Sequence, residues 1–112
     1  MGQTNRFQHG IKVGADSDEP TEIETIKVYT VTYNPADLAA NQTTEDTVTV
    51  TGLAVGDVPL VVKPTMTAGV GIVNARVSAA NTLAITWMNT TAASVNPASE
   101  DYTVLVFTPG SD

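Results

Sequence analysis

The sequence predicts an all-β domain: an antiparallel β-sandwich, Ig-like or jelly-roll-like, over residues 23–112, preceded by an extended N-terminal arm over residues 1–22. Three observations predict it. Apolar residues recur with period two in short runs, turn residues interrupt those runs every 8–12 residues or so, and no stretch carries the helical period. Such a pattern fits two packed sheets, with a small open barrel as the alternative.

The arm is polar and its charge is segregated. Arg6, His9 and Lys12 come first; Asp16, Asp18, Glu19 and Glu22 follow. A segment of this kind buries too little apolar surface to offset its own ordering entropy, so it is expected to order mainly against a partner.

The first strand is expected over residues 24–33, with Ile26, Val28 and Thr30 on one face and Lys27, Tyr29, Val31 and Tyr33 on the other. Asn34-Pro35 stops it, because proline lacks a ladder donor and restricts the residue before it. Residues 36–44 read as a loop with room for one helical turn. Residues 46–51 alternate cleanly, with Val48 and Val50 inward and Thr47, Thr49 and Thr51 outward. The segment Gly52-Leu53-Ala54-Val55-Gly56-Asp57 turns the chain, its glycines supplying positive φ and Leu53 plugging the core edge.

Residues 58–63 form a strand in which Pro59 suits a first or edge position. Pro64 ends it, and residues 65–71 form a loop. Residues 72–79 and 82–89 make a hairpin through Ala80-Asn81, since asparagine tolerates the left-handed conformation of a tight turn. Val73, Ala75 and Val77 should share one face of its first arm, and Leu83, Ile85 and Trp87 one face of its second. Residues 90–100 cross to a last strand over 101–108. There Tyr102, Val104 and Val106 point one way and Leu105 and Phe107 the other.

Composition narrows the function. Charged residues are 15% of the 112-residue chain, against about 25% in ordinary soluble domains. A surface short of charge and rich in Thr, Asn and Ala can be covered by a partner at low desolvation cost. The net charge is −7, with Arg6, Lys12, Lys27, Lys63 and Arg76 as the basic residues. With no basic stripe, neither nucleic acid nor anionic membrane is an expected partner. There is no cysteine, hence no disulfide framework or thiolate metal site. The first residues lack an apolar signal-peptide core, and no apolar run reaches the roughly 18 residues of a transmembrane span.

No catalytic, cofactor or metal constellation stands out. His9 is the one histidine and sits in the arm, without a scaffold to hold it as a base. The run Asp16-Ser17-Asp18-Glu19 superficially suggests calcium, but the sixth loop position is Thr21 rather than glycine and the twelfth is Lys27 rather than glutamate. Glu45-Asp46 and Glu100-Asp101 are adjacent carboxylates, whose side chains face opposite ways on a strand. Strand pairing could still bring Glu45 and Asp101 together. Gly69-Val70-Gly71 lacks the strand–loop–helix context of a phosphate cradle. The five large rings, Tyr29, Tyr33, Trp87, Tyr102 and Phe107, all fall inside predicted strands, where core or interface packing is the default.

From residue 47 onward the chain carries T-V-T-V-T-G-L-A-V-G-D, V-P-L-V-V-K-P, G-I-V-N-A-R-V-S-A-A-N-T-L-A-I-T-W-M-N-T-T-A-A-S-V-N-P and Y-T-V-L-V. This stretch resembles small virion structural proteins of tailed bacteriophages, the capsid decoration or cement proteins. The resemblance implies a non-enzymatic protein without cofactors. Made in the bacterial host cytoplasm, it would sit on the capsid surface, commonly as a trimer, and clamp the major capsid protein after the shell expands. It also implies that Gly52, Leu53, Gly56, Asp57, Val77, Asn81, Leu83 and Asn89 are framework residues. On this reading Arg6, Phe7, His9 and Lys12 of the arm are the candidate capsid contacts. A fibre adhesion or carbohydrate-binding module, using loops 65–71 and 90–97, is the alternative. An enzyme inhibitor or accessory fold outside any virus is a third.

Overall fold

The computed structural model describes Ile11–Lys12 and residues 22–110. Seven strands follow in order: β1 (Ile11–Lys12), β2 (Glu22–Tyr33), β3 (Gln42–Thr49), β4 (Val58–Val62), β5 (Val70–Ala79), β6 (Thr82–Asn89) and β7 (Glu100–Pro109). They build two sheets, β1-β2-β7-β4 and β3-β6-β5, with every pairing antiparallel. The chain changes sheet at nearly every step, and β5–β6 is the one tight hairpin within the second sheet. Read against the immunoglobulin-type Greek key, β5-β6-β3 takes the D-E-B order and β4-β7 the C-F order, with β2 beside β7 where strand G would lie. Most of the segment expected as an arm lies outside the described residues. Its residues Ile11 and Lys12 extend the first sheet by pairing with Ile23 and Glu22.

The core lies between the sheets. Leu83, Ile85 and Trp87 of β6 face Tyr102, Val104 and Val106 of β7, and all six are essentially inaccessible to water. Tyr33, Val77, Val50 and Leu53 close the sides and ends, with Tyr29, Val31, Val48, Val61 and Ile72 packed against them. Burying a side chain of this size stabilises the fold by about 1.5–3 kcal/mol.

Three details differ from the pattern read along the sequence. Strand β3 starts at Gln42 and ends at Thr49. Its first residues are polar, yet they complete the ladder opposite Asn89, Met88 and Trp87, which a hydrophobic count cannot see. The loop before β3 has no helical turn; Leu38 instead bridges Val95 of the β6–β7 connection through two backbone hydrogen bonds of 2.8 and 3.0 Å. Val73 does not share a face with Ala75 and Val77. The register shifts between Ile72 and Asn74, so Ile72 packs on the core and Val73 is exposed.

Each end of the sandwich is fastened by an asparagine. Asn81, at φ 61° in the β5–β6 turn, accepts the Gly52 N–H on Oδ1 (2.8 Å). Its own N–H donates to the Leu53 carbonyl and its carbonyl accepts from Val50, both at 2.9 Å. Gly52 needs its glycine twice over: φ is +107°, and a Cβ would stand 2.8 Å from the Tyr29 hydroxyl oxygen. Asn89, at the other end and 1% exposed, donates to the Leu38 and Ala93 carbonyls at 3.0 and 2.9 Å. It accepts from the Thr91 N–H and hydroxyl at 2.9 and 2.8 Å. Its amide thus ties together the loops entering β3 and leaving β6.

A third polar chain crosses the core. Trp87 Nε1 donates to the Tyr33 hydroxyl (3.1 Å), which donates to Asp46 Oδ2 (2.7 Å). The same carboxylate oxygen accepts the Ala36 N–H at 3.1 Å. Three strands from both sheets are thereby joined. Tyr33 also packs edge-on against Tyr102, with ring centroids 5.1 Å apart. The Tyr102 hydroxyl is buried without a hydrogen-bond partner among the described residues.

Two predictions follow from this interior. Asn89→Ala removes the buried amide's four hydrogen bonds and leaves the Thr91 N–H without its acceptor, costing about 1–3 kcal/mol, whereas Tyr102→Phe removes an unpaired hydroxyl and leaves stability unchanged or higher. Urea unfolding compares them directly, and a Tyr102→Phe variant losing stability contradicts this account. Burial pushes the Tyr102 phenol up to about 12, aided by Glu100. Burial, then the hydrogen bond to Asp46, drives the Tyr33 phenol higher still. Both pKa values are raised on folding, so the stability that the neutral phenols contribute is full below about pH 10 and lost as pH climbs through the folded values. Absorbance titration at 295 nm should show two of the three tyrosines ionising together with the loss of near-UV circular dichroism.

Candidate functional site

The two outer faces of the sandwich differ in chemistry. On the β3-β6-β5 sheet the outward positions include Thr43, Glu45, Thr47, Thr82, Thr86, Asn74 and Arg76. Arg76 Nε and Nη2 donate to the two carboxylate oxygens of Glu45 at 2.8 and 3.0 Å. The strand register places Arg76 beside Ala84 and Glu45 beside Thr86, so this ion pair spans β6 diagonally. Ala84 is outward-facing yet wholly buried beneath it. The Arg76 hydrogen bond holds the Glu45 carboxyl below its ordinary range. Most of this face is polar, with Met88 and the bulged Val73 as its exposed large apolar side chains.

The β2-β7-β4 sheet is different. Its register stacks outward side chains in rows: Ile26, Phe107 and Val58; then Val28, Leu105 and Leu60; then Thr30, Thr103 and Val62. The row before them pairs Ile23 with Pro109, past a bulge at Glu24. Val28 is 65% exposed and Leu60 54%. Ile26, Val58 and Val62 are exposed to a similar degree, and Leu105 and Phe107 are half-buried among them. A one-sided antiparallel sheet alternates apolar inward with polar outward. Here β4 is apolar at every position and β7 at most, so this sheet departs from that alternation. The exposed apolar area is roughly 500 Å², at the upper end of the ~300–600 Å² found as the largest patch on a monomer.

Polar contacts bound this face. Thr32 donates to Asp101 across its far end (2.7 Å), and Thr108 donates to Asp57 at the near end (3.0 Å). At the interior end of the sheet Lys63 donates to Glu100 (2.8 Å) and to the Thr65 carbonyl (2.7 Å), fixing the start of the 65–71 loop. The Lys63 hydrogen bond lowers the Glu100 carboxyl below its ordinary range. Among the described residues of β2 to β7, no basic side chain lies on this outer face. Lys27 and Lys63 have the opposite parity, and Arg76 belongs to the other sheet.

The residues singled out in the sequence fall as follows. Arg6, Phe7 and His9 lie outside the described residues, as do Asp16, Asp18 and Glu19. Lys12 is the second residue of the short strand β1. Glu45 and Asp101 stand on the outer faces of different sheets and form no acid–base couple. Among the described residues no three carboxylate or imidazole groups converge as metal ligands, and no helix is long and apolar enough to cross a membrane. Trp87, Tyr33 and Tyr102 belong to the core, while Phe107 alone of the rings joins the apolar rows. The residues expected as framework have framework roles: Gly52, Leu53 and Asn81 in one end clasp, Asn89 in the other, Val77 and Leu83 in the core. Asp57 caps its own turn by accepting the Ala54 N–H (3.0 Å), and Gly56 takes φ +105° there.

A shallow depression of about 320 Å³ is lined by Asn41, Gln42, Thr43, Met88, Asn89 and Thr90. The Asn89 amide is already engaged on both its oxygen and its nitrogen, and the other polar side chains of β3 in the lining, Gln42 and Thr43, are exposed. The sequence reading missed the apolar rows. Their members were visible as the second face of each strand, but joining them into one surface needs the β2–β7 and β4–β7 registers.

Compared with protein-family models, curated proteins and solved structures, the chain matches none.

Proposed function

We propose that this chain is a non-enzymatic docking protein of a phage virion, a capsid decoration protein that binds the outer face of the head and stabilises the shell. One observation carries the docking part: a sheet whose outer face is apolar in successive registered rows, on a sandwich whose other face is mostly polar. The phage assignment rests on the resemblance of residues 47–106 to virion proteins. The fold supports it to the extent that the motifs carrying that resemblance are the ones that clasp the sandwich ends.

Stabilisation of a shell requires no reaction. A protein that binds the assembled lattice and not its separated subunits shifts the equilibrium towards the lattice by mass action. Many weak contacts repeated over one particle add through effective concentration. The arm residues Arg6, Phe7, His9 and Lys12 are proposed as a second contact with the major capsid protein, in a trimeric arrangement.

The test is reconstitution. Purified protein is mixed with undecorated, expanded capsids of the phage whose genome encodes it. Saturable binding and a higher temperature of capsid disruption are expected; no binding removes the assignment. Deleting residues 1–20 should weaken binding at least tenfold, and unchanged affinity takes the arm out of the mechanism. A glycan array serves the adhesion alternative and should be silent.

A further inference from the structure

We infer that the outer face of the β2-β7-β4 sheet docks onto a different protein, one presenting an apolar patch flanked by lysine or arginine side chains, and not onto a second copy of this chain. The inference rests on the docking reading above and specifies its surface and its partner's chemistry.

Roughly 500 Å² of exposed apolar surface matches the apolar share of the ~800 Å² per partner that a standard complex buries, so the face is large enough to be a docking surface and area alone does not choose its occupant. The same area suffices where each contact is one of many on an ordered array.

Charge chooses the occupant. Asp101 marks one end of the apolar rows, and Glu24, exposed in the β2 bulge, marks the other. None of Lys27, Lys63 and Arg76 stands on this face. Stacking it on itself about a two-fold axis sets Asp101 against Asp101 or against Glu24, in a pair of chains each carrying −7. Like charges at an interface rim select against that pairing. A partner with cations at its rim meets no such penalty and gains steering from the net negative charge. At the centre, Ile26, Val28, Leu60, Leu105 and Phe107 offer an uncharged surface that loses little on desolvation.

The experiment uses the full chain and undecorated capsids. The variant Val28→Thr/Leu60→Thr keeps strand propensity and removes apolar contact; Glu45→Gln/Arg76→Gln alters the opposite face and serves as control. Both are checked for an unchanged near-UV spectrum and melting transition. Expected results are at least tenfold weaker binding by Val28→Thr/Leu60→Thr, binding within twofold of wild type by the control, and a severalfold loss for Asp101→Asn or on raising salt from low to moderate concentration. If wild type binds and Val28→Thr/Leu60→Thr binds equally, the face is wrong while the docking reading stands. If wild type does not bind, both fall. Sedimentation of the free protein supplies a further check: dimers abolished by Val28→Thr/Leu60→Thr identify a second copy as the occupant and overturn the inference, as does salt-insensitive binding.

Discussion

The hydrogen-bonded chain from Trp87 through Tyr33 to Asp46 is the constraint on which the rest of the architecture depends. Its importance comes from what the apolar pattern leaves undecided. In most one-sided sheets a strand's register is set because a slip of one residue turns its apolar face to water. Strand β2 has apolar residues of both parities, Ile26 and Val28 on one side and Tyr29, Val31 and Tyr33 on the other, and β4 is apolar throughout. A slipped β2 would still bury valine and isoleucine. It would not bring a phenol between the Trp87 indole and the Asp46 carboxylate. Buried donors and acceptors left without partners cost about 1–3 kcal/mol each, and that penalty, not hydrophobicity, distinguishes the native register from its neighbours. Thr32 with Asp101, Thr108 with Asp57 and Lys63 with Glu100 repeat the same logic along the sheet.

Most of the fold was legible because period two is a local property. The strands at β2, β4, β6 and β7, the glycine turn at Gly52–Gly56 and the left-handed Asn81 follow from residues within a few positions of one another. What was not legible is non-local. The polar start of β3 is held by its ladder with β6, and nothing in Gln42-Thr43-Thr44 announces a strand. Val73 looks like a core residue until the bulge after Ile72 turns it outward. The role of Asn89 as a clasp depends on Leu38 and Ala93 arriving from two different loops.

The candidate site shows the same limit more sharply. Residue by residue, Ile26, Val28, Leu60, Leu105 and Phe107 read as ordinary strand residues. The surface they form exists only because β7 pairs with β2 on one side and β4 on the other, aligning three strands distant in sequence. The low content of charged residues carries no position, and the apolar rows emerge only with the topology. The arm was legible as a polar segment without period, too poor in apolar surface to order by itself.

The contrast between the two outer faces also gives the charge composition a physical meaning. Both sheets are of similar breadth, and a uniform distribution of Thr, Glu and Arg would have dressed them alike. Instead, the Arg76–Glu45 pair sits over β6, while β2, β7 and β4 carry branched aliphatic side chains outward. Exposed apolar rows lower solubility and offer a site for unwanted association, and their presence beside a mostly polar face is the reason an occupant is proposed for them. On the proposed docking, the net charge of −7 keeps free copies apart, and Asp101 and Glu24 are the charged side chains described at the two ends of the apolar rows. A protein with both properties would stay dispersed until it met a surface of opposite rim charge, where the same rows that would promote aggregation become the contact.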